Sequence, residues 1–295
     1  MFTAEMKTIM NEYCNRINEA LMEALPVARD GQRGVVKAMR YSLQNGGKRI
    51  RPILTLEFCK MCGGTEEQAM PFACAVEMLH TYSLIHDDLP CMDDDDLRRG
   101  NPSCHKMYGE ATALLAGDAL LTHAFEAITA AELPDDRIVS AVALLAQNAG
   151  VGGMIGGQVL DLLYEKREEP TVSDLLTVHK LKTGALISAA CLLGCIAAGA
   201  SDEQLAAASK FAYNLGIAFQ IKDDLLDVQG DEETLGKPVG SDAENEKTTY
   251  VTMVGEKKAQ QDVAVLTERA ITHLEKFDNT EFTETLANYL VSRDN

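Results

Sequence analysis

The chain has 295 residues, of which 46% are apolar, and its formal net charge at pH 7 is −18. This length supports one large domain or two ordinary ones, and the apolar content allows a sizeable core. The charge argues against nucleic acid and against an anionic membrane surface as partners. It admits an anionic substrate only where metal ions and nearby Lys or Arg side chains reverse the sign. The eight cysteines are scattered along the chain, which is typical of free thiols in a reducing cytoplasm.

Helix-forming residues dominate from end to end, and the alternation typical of strands is scarce. Glycine pairs, prolines and a capping-box pattern at Thr65-Glu66-Glu67-Gln68 mark the boundaries between helices. The predicted helices cover residues 1–25, 34–44, 52–62, 66–87, 111–132, 136–149, a stretch that begins after 153, 173–200 and 202–228, followed by a charged loop at 229–247 and further helices within 250–293. The pattern predicts an all-α fold of about ten or more helices, in a single domain that spans residues 1–295.

Two uncharged apolar runs, residues 138–160 and 183–201, are long enough to cross a membrane. Both are rich in Ala, Gly, Ser and Cys, and the first also contains Gln147, Asn148 and Gln158. Such runs are typical of helices buried at the centre of a large helical protein, so we expect no membrane span.

The most distinctive stretch is Asp87-Asp88-Leu89-Pro90-Cys91-Met92-Asp93, which ends an apolar helical run and is followed by three further aspartates. Carboxylates at a helix C-terminus face the negative end of the helix dipole and repel one another, so bound cations are one means of offsetting their charge. Because Pro90 cannot continue a helix interior, we expect the chain to turn there and to bring Asp93 back toward Asp87. A solvated acidic loop is the alternative interpretation.

A second acidic group, Asp223-Asp224-Leu225-Leu226-Asp227, lies inside another apolar helical run. Asp223 and Asp227 are four residues apart and therefore share one face of a helix. Two carboxylate faces on separate helices predict a cavity that holds hard divalent ions such as Mg²⁺, and such ions can bridge a polyphosphate.

Basic residues at several places supply the cations that phosphorylated ligands need. The stretch Gly46-Gly47-Lys48-Arg49-Ile50-Arg51-Pro52 sets three cations at a helix start, where anions bind readily. Arg98-Arg99 follows the first acidic group, Lys182-Thr183-Gly184 interrupts an apolar stretch, and Lys237 and Lys247 lie in the late charged loop. Each alone is typical of a surface charge. Together with the acidic groups they predict a site for two phosphorylated ligands.

Other patterns favour structure over chemistry. The glycine-rich run at 152–157 lacks the Lys-Ser/Thr ending of a phosphate loop, and we expect it to let two helices approach closely. The aspartates at 93–96 lack the spacing of a calcium loop. His86-Asp87 would need further metal-binding histidines to indicate a phosphohydrolase. Cys59-Lys60-Met61-Cys62 is a lone CxxC pattern without a matching second pair, and we expect it to be structural.

In this order and at this spacing the motifs resemble the trans-prenyltransferases, the isoprenyl diphosphate synthase family, and most closely its bacterial farnesyl diphosphate synthases. The matching stretches are residues 46–52, 87–93 with 98–100, Gly157-Gln158 with Asp161, 182–184, 219–227 and Gly236-Lys237. The resemblance implies an all-α isoprenoid synthase bundle around a deep central cavity, assembled as a homodimer in the cytoplasm.

The resemblance also implies a role for each matching residue. About three Mg²⁺ ions, or Mn²⁺ in their place, would be held by carboxylates together with phosphate oxygens. Their ligands and supporting carboxylates would be Asp87, Asp88, Asp93, Asp223, Asp224 and Asp227. The allylic diphosphate would be bound by Arg98, Lys182, Lys237 and Lys247. Isopentenyl diphosphate would be bound by Lys48, Arg51, His80 and Arg99. The residues implied in catalysis are Lys182, Thr183, Gln220, Arg98 and Lys237, with Thr183 and Gln220 beside the reacting carbon.

The implied reaction is the head-to-tail (1'-4) condensation of isopentenyl diphosphate with dimethylallyl or geranyl diphosphate. The allylic C–O bond breaks to leave a cation and pyrophosphate, the isopentenyl double bond attacks, and a proton leaves. Metal ions and basic side chains would stabilise the leaving group, and apolar walls would exclude water. No protein nucleophile is needed, which agrees with the lack of a convincing Ser-His or Cys-His pairing.

Product length is expected to depend on Tyr82 and Ser83, which precede Asp87 on the same helix. Tyr82 lies about 7–8 Å from Asp87 along the helix axis. In the bacterial farnesyl synthases that the chain resembles, an aromatic residue here, combined with an acidic motif that is two residues longer, closes the cavity at the length of a farnesyl chain. A smaller residue here goes with geranylgeranyl. Tyr82 therefore favours farnesyl diphosphate. Geranylgeranyl diphosphate is the alternative product, and ordinary core packing is the alternative role of Tyr82.

Two other classes of protein stay open on the sequence alone. A terpene cyclase also uses an aspartate-rich motif, but its second metal site normally mixes Asn or Asp with Ser or Thr and Glu, and it needs no second diphosphate site. A non-catalytic partner subunit of a heteromeric prenyl synthase typically lacks one acidic motif, and both are intact here. Activity of the purified chain alone would separate these cases.

Overall fold

Helices make up nearly all the regular structure in the computed structural model, which describes residues 3–165, 170–229 and 248–292. The helices before the acidic loop are α1 Ala4–Ala24, α2 Arg33–Gln44, α3 Ile50–Met61 and α4 Glu66–Asp87. After the loop come α5 Cys104–Tyr108, α6 Glu110–Thr129, α7 Asp135–Ala149, α8 Met154–Glu165 and α9 Val172–Val178. A π-helical turn, His179–Gly184, leads into α10 Ala185–Ala198 and then α11 Asp202–Gln229. The described C-terminal part contains α12 Tyr250–Val254, α13 Glu256–Thr272 and α14 Glu281–Ser292.

The predicted all-α class is confirmed, and most predicted helix ends lie within a few residues of the observed ones. The capping box at Thr65 is present in both directions, because the Thr65 side chain accepts from the Gln68 amide and the Gln68 side chain accepts from the Thr65 amide. Helix α3 begins at Ile50, before Pro52 rather than at it, and proline is tolerated there because the first turn has no intrahelical partner for its missing N–H. The predicted charged loop at 230–247 lies outside the described residues.

Short elements between α4 and α6 were not predicted. They are α5 and a hairpin in which β1, Leu97–Arg98, pairs antiparallel with β2, Asn101–Pro102. The hydroxyl of Tyr41 on α2 donates to the Pro102 carbonyl at 2.7 Å, and Lys106 pairs with Asp96 at 2.6 Å. Both contacts join residues that are not neighbours in the sequence, and they stabilise the hairpin and α5. These elements are too short to be predicted from their own sequence patterns.

The core lies where α10 packs against α3, α4, α7 and α11. Phe58 of α3 is fully buried and contacts Phe211 of α11 and Phe277, with ring centroids 5.2 Å and 5.4 Å apart. Helix α4 lies between α3 and α6, so the helix that ends in the acidic loop is held on two sides. Burial of these aromatic and aliphatic side chains is the main favourable contribution to folding.

The two uncharged runs behave differently in the fold. Both helical segments that contain them are apolar and long enough to span a membrane by length and composition. The segment Val172–Ala198 is 67% buried in its most apolar window, as predicted, whereas the segment Asp135–Tyr164 is only 28% buried. Val139 and Val159 on the latter expose 67% and 60% of their surface. The prediction that residues 138–160 lie at the centre is therefore wrong within a single chain, because one apolar face of α7 and α8 is left exposed.

Candidate active site

The first acidic group lies where α4 ends and the chain reverses. The amide of Asp93 donates to the carbonyl of Asp87 at 2.9 Å, and the amide of Asp94 donates to that of Leu89 at 3.2 Å. The predicted turn at Pro90 is thereby confirmed, and Asp93 returns to the helix end that carries Asp87. Asp94 adopts a left-handed backbone with φ of 51°, which the tight reversal requires.

Asp88 is the buried member of this group. Its carboxylate accepts from Arg98 Nε at 2.8 Å and also from the terminal nitrogen of the same guanidinium, which in addition reaches Asp95 at 3.1 Å. Burial raises the pKa of Asp88, and the hydrogen bond from Arg98 opposes that shift. The short hairpin holds Arg98 in place, so Arg98 orders the acidic loop and borders the region where a diphosphate is expected. The purely solvated interpretation of the loop does not hold for Asp88.

Asp87 is partly exposed and has partners on α8 and in the turn that follows α9. The side-chain amide of Gln158 on α8 donates to its carboxylate, and Lys182 lies near enough to lower its pKa. Burial outweighs that cation, and with Asp93 also raising it the pKa of Asp87 is lifted from 3.8 to about 6. The raised pKa means that the fold disfavours the charged form of Asp87. A carboxylate in such a partly closed site is a strong candidate for binding a cation.

A π-helical turn connects the two acidic groups. Within His179–Gly184, Lys182 pairs with Asp161 of α8 at 2.6 Å, and the Thr183 hydroxyl donates to Gln220 of α11 at 2.7 Å. Single π turns widen a helix locally and are frequent at functional sites. Gly157 on α8 makes this arrangement possible, because a Cβ there would overlap the backbone of Lys182. The close approach expected of the glycine-rich run is confirmed at this residue.

The second acidic group lies on α11, one turn beyond Gln220. Asp224 and Asp227 are buried, and Asp223 is partly exposed. The carboxylate of Asp224 accepts from the Tyr250 amide at 3.1 Å and lies 3.6 Å from His179 Nε2 in the π-helical turn. Asp224 is thus held by neighbours, while Asp223 is the member that solvent or a ligand can reach.

A cavity of about 550 Å³ opens beside these groups, between the start of α3, α4 and the hairpin. Its charged and polar lining consists of Asn45, Lys48, Arg49, Arg51, Glu77, His80 and Arg99. Among the described residues no group hydrogen-bonds the buried Nε of Arg51. Burial, followed by the cations of Arg51 and Arg99, holds the pKa of His80 well below its ordinary value, so its imidazole is neutral at pH 7. The cavity is therefore cationic, with one guanidinium N–H that still lacks an acceptor.

Arg99 and Gly47 shape one wall of the cavity together. The guanidinium of Arg99 donates to the Gly46 carbonyl and lies where a Cβ on Gly47 would be. Gly47 also has a φ of 116°, a conformation that other residues rarely adopt. These features explain why a glycine immediately precedes Lys48.

Arg49 has a structural role that the sequence did not reveal. Its guanidinium donates to Glu77 Oε1 at 2.7 Å and to Asn18 Oδ1 at 2.9 Å, and it also binds the Leu43 carbonyl. Its backbone is left-handed with φ of 50°. Arg49 therefore turns inward and pairs with Glu77 at the edge of the cavity, where a carboxylate already balances its charge.

The structure thus brings together most of the predicted site residues. Lys48, Arg51, His80 and Arg99 share the cationic cavity, and the π-helical turn links Lys182 and Thr183 to Gln220. Tyr82 is buried on α4 with its ring 5.6 Å from that of His86, and the Ser83 hydroxyl donates to the His80 carbonyl at 2.9 Å. Lys237 and Lys247 lie outside the described residues. The roles assigned to all these side chains stay predictions.

Four partners of the site were not among the predicted site residues. Gln158 and Asp161 belong to a matching motif, and Gln158 was already conspicuous as a polar residue in an uncharged run. His179 and Glu77 had no signal of their own, because their partners are 45 and 28 residues away in the sequence. Only the packing of the helices shows that they contact the site.

The carboxylates of the two acidic groups suit a metal ion that completes its coordination shell with oxygens of a bound ligand. Among the described residues, no group of three or more His, Cys, Asp or Glu side chains is arranged to enclose a metal by itself. Mg²⁺ usually takes one or two carboxylates and completes its octahedral shell with water and phosphate oxygens. All the available donors at Asp87, Asp93 and Asp223 are hard oxygens, so the site fits Mg²⁺ carried with a diphosphate.

The raised pKa of Asp87 leads to a prediction for the metal-free protein. A folded-state pKa of about 6 against an ordinary 3.8 means that the folded state holds the proton more tightly than the unfolded state. The contribution of Asp87 to stability should therefore fall as pH rises from about 4 to about 6. Thermal unfolding in EDTA should be compared at pH 5 and pH 7. The stability lost between pH 5 and pH 7 should be smaller for Asp87→Asn than for the unmodified chain. Equal losses would contradict the assignment.

An all-α bundle that joins two aspartate motifs through one π-helical turn, beside a cationic cavity, defines the class of a helical prenyl synthase. The polyprenyl synthetase family model matches residues 32–289. The chain belongs to this family and is a prenyltransferase.

Relatives and solved structures agree on the class. Farnesyl diphosphate synthase of Geobacillus stearothermophilus is 44% identical over 283 residues, 94% of this chain and 94% of that protein. Geranylgeranyl diphosphate synthase of Cyanophora paradoxa is 43% identical over 291 residues, 98% of this chain and 96% of that protein. The apo crystal structure of an FPP/GFPP synthase from Zymomonas mobilis superposes with a TM-score of 0.87 at 35% identity, covering 98% of this chain and 99% of the other. Similar identity to enzymes of different product length leaves the product to be argued from the site.

Proposed function

We propose that the chain is a Mg²⁺-dependent farnesyl diphosphate synthase that condenses isopentenyl diphosphate with dimethylallyl and then geranyl diphosphate. The observation that carries this proposal is the cationic cavity lined by Lys48, Arg51 and Arg99, with a buried Arg51 Nε that no described group hydrogen-bonds. A second diphosphate supplies that missing acceptor. A terpene cyclase handles a single diphosphate and needs no such cavity.

In this proposal the two diphosphates bind at different places. Lys48, Arg51 and Arg99 bind isopentenyl diphosphate, and the neutral His80 donates or accepts a hydrogen bond without adding charge. The allylic diphosphate lies between Asp87 and Asp223. Without substrate, Arg98 pairs with Asp88 and Lys182 pairs with Asp161. When the allylic diphosphate binds, both cations also contact its phosphate oxygens.

The side chains then act by stabilising charge. Once they contact the bound diphosphate, Lys182 and Arg98 would stabilise the departing pyrophosphate, and cations already in place lower the barrier because they need no reorganisation during the reaction. Thr183 and Gln220, already hydrogen-bonded to each other, would lie beside the allylic carbon and stabilise its positive charge with their oxygens. Mg²⁺, held by Asp87, Asp93 and Asp223, would supply Lewis-acid stabilisation of the leaving group when bound.

Tyr82 supports a farnesyl product. It lies on α4 below Asp87, where it is 5% exposed and packs edge-on against His86. His86 in turn is held by the Leu114 carbonyl of α6 at 3.0 Å, against Gly117, where a Cβ would overlap the imidazole. A phenol ring held this firmly would block a growing chain that extends from Asp87 along α4.

Replacing Tyr82 by Ala should lengthen the main product from farnesyl to geranylgeranyl diphosphate, because it removes the ring that closes the path. Products are separated by chain length after dephosphorylation. Tyr213→Ala, which changes an exposed tyrosine on α11, serves as the matched control and should leave the product unchanged. An unaltered product distribution in Tyr82→Ala would show that another residue limits the chain.

The reaction itself is tested with the purified chain, Mg²⁺, labelled isopentenyl diphosphate and dimethylallyl diphosphate, with EDTA as the metal-free control. Farnesol after dephosphorylation supports the whole proposal. Geranylgeraniol as the main product would support the prenyltransferase reaction but show that the chain makes the longer product. No elongation by a folded sample would favour the partner-subunit or cyclase alternatives.

We also propose that the chain works as a cytoplasmic homodimer through the exposed apolar face of α6–α8. This face carries Leu114, Leu115, Val139, Val159 and Leu163, all exposed. Exposed large apolar side chains grouped on neighbouring helices are typical of a protein interface. Such an interface also accounts for an uncharged run that a single chain leaves uncovered.

Val159→Glu is expected to shift the protein from dimer to monomer, because it places a charge in the apolar face. The molar mass in solution can be measured by light scattering after gel filtration. Val265→Glu on α13, also an exposed valine, is the matched control and should stay dimeric. A dimer that survives Val159→Glu would place the interface elsewhere.

A further inference from the structure

The CxxC pattern at the end of α3 has a partner that the sequence did not indicate. The Sγ atom of Cys62 lies 3.8 Å from Sγ of Cys195 on α10, although 133 positions separate the two residues. The other thiol of the pattern is engaged elsewhere, since Cys59 donates to the Thr65 carbonyl at 3.4 Å. The thiol contact therefore joins two helices and does not close the CxxC pattern.

The two helices approach unusually closely at this point. Gly194, next to Cys195, has no room for a side chain, because a Cβ there would overlap the Thr55 carbonyl and crowd Cys59 and Phe58 of α3. Backbones in such close contact leave only a short distance for a bridge between the side chains of the next turn. Formation of a disulfide requires the two Sγ atoms to close from 3.8 Å to about 2 Å.

The two thiols also differ in environment. Cys62 is partly exposed at the C-terminal end of α3, whereas Cys195 is fully buried. A hydrogen bond between them lowers the pKa of Cys62 and raises that of Cys195. The accessible thiol is therefore the more easily ionised one, and only the thiolate is nucleophilic.

We propose that Cys62 and Cys195 form a thiol–disulfide exchange site that reacts with low-molecular-weight disulfides and closes into a disulfide between α3 and α10. The Cys62 thiolate attacks one sulfur of the small disulfide, which forms a mixed disulfide and releases one small thiolate. The Cys195 thiol gives its proton to the departing base as its sulfur attacks Cys62. This step forms the Cys62–Cys195 bond and expels the second small thiol. The small disulfide is reduced to two thiols as the protein pair is oxidised.

The disulfide would cross-link two central helices that are distant in the sequence. Closing so long a loop restricts the unfolded chain, which raises stability in the loop-entropy account. We therefore expect the oxidised protein to melt at a higher temperature than the reduced one. The site is separate from the substrate cavity, so this expectation does not depend on the proposed reaction.

The test treats the reduced full-length protein with oxidised glutathione and follows free thiols, peptide masses and thermal unfolding. The unmodified chain should lose both thiols to a Cys62–Cys195 cross-link, recover them with dithiothreitol, and show a reversible rise in melting temperature. Cys195→Ser should stop at glutathione bound to Cys62. Cys62→Ser should leave Cys195 unmodified. Cys74→Ser, at another buried cysteine, should behave like the unmodified chain.

Other outcomes would overturn the proposal. These are a Cys59–Cys62 disulfide, glutathione retained on Cys62 when Cys195 is intact, and reaction confined to the exposed Cys91. A cross-link that forms but lowers the melting temperature would reject the stabilising role.

Discussion

Replacing Arg49 by Met is expected to lower the free energy of unfolding by about 3–5 kcal/mol, because it leaves Glu77 as an uncompensated buried charge. Arg49 and Glu77 expose only 3% and 2% of their surfaces, and their side chains pair at 2.7 Å. The substitution also removes the donors that satisfy Asn18 and the Leu43 carbonyl. Chemical denaturation measures the loss directly.

The chain provides a matched control for this ion pair on its surface. Arg33 and Asp30 pair at 2.8 Å, but their side chains are 58% and 100% exposed. Arg33→Met should therefore cost no more than about 1 kcal/mol. The double variant Arg49→Met/Glu77→Met should recover much of the loss, because the unpaired charge is gone. If Arg49→Met lowers the free energy of unfolding no more than Arg33→Met does, the buried ion pair does not stabilise the fold as expected.

Arg49 anchors the start of α3, which lies between Lys48 in the preceding loop and Arg51 in the first turn of the helix. A loosened loop should therefore weaken binding of isopentenyl diphosphate more than binding of the allylic substrate. Separate measurement of the two KM values would distinguish this local effect from general instability, which lowers the activity toward both.

Replacing Asp87 by Asn is expected to reduce kcat by at least about 10²-fold, the scale on which single electrostatic groups contribute to catalysis. In the same variant the metal-free protein should become more stable at pH 7. The reason is that burial raises the pKa of Asp87 to about 6, so the fold holds its charged form at a cost. Asn keeps the shape and can still accept the hydrogen bond from Gln158.

Opposite changes in activity and stability would identify Asp87 as a functional carboxylate that the fold holds against its own stability. Steady-state kinetics with saturating Mg²⁺ and thermal unfolding in EDTA give the two readouts. Asp118→Asn on α6, whose side chain is 58% exposed, should alter neither of them much. Activity near that of the unmodified chain, or a less stable Asp87→Asn protein, would contradict the proposed role.

The helices were largely predictable because their signals are local. The capping box at Thr65 and the turn at Pro90 each act within one turn of chain. The π-helical turn was not predictable, because it depends on the close approach of Gly157 and on an ion pair with Asp161. The exposed face of α7 and α8 escaped prediction for a similar reason, since composition shows that a helix is apolar but not what covers it.

In the site, the sequence alone determined which groups are present and their order: the two aspartate motifs, the cations at 48–51 and 98–99, and the lysine at 182. Tertiary structure decided what each group does. Among the three cations at 48–51, Arg49 is buried and paired with Glu77, whereas no described group hydrogen-bonds the Nε of Arg51. The local sequence around these basic residues does not indicate which of them is buried and which binds a ligand. The separation comes from a left-handed backbone at Arg49 and from a carboxylate 28 positions away, which only the packing of α4 against this loop supplies.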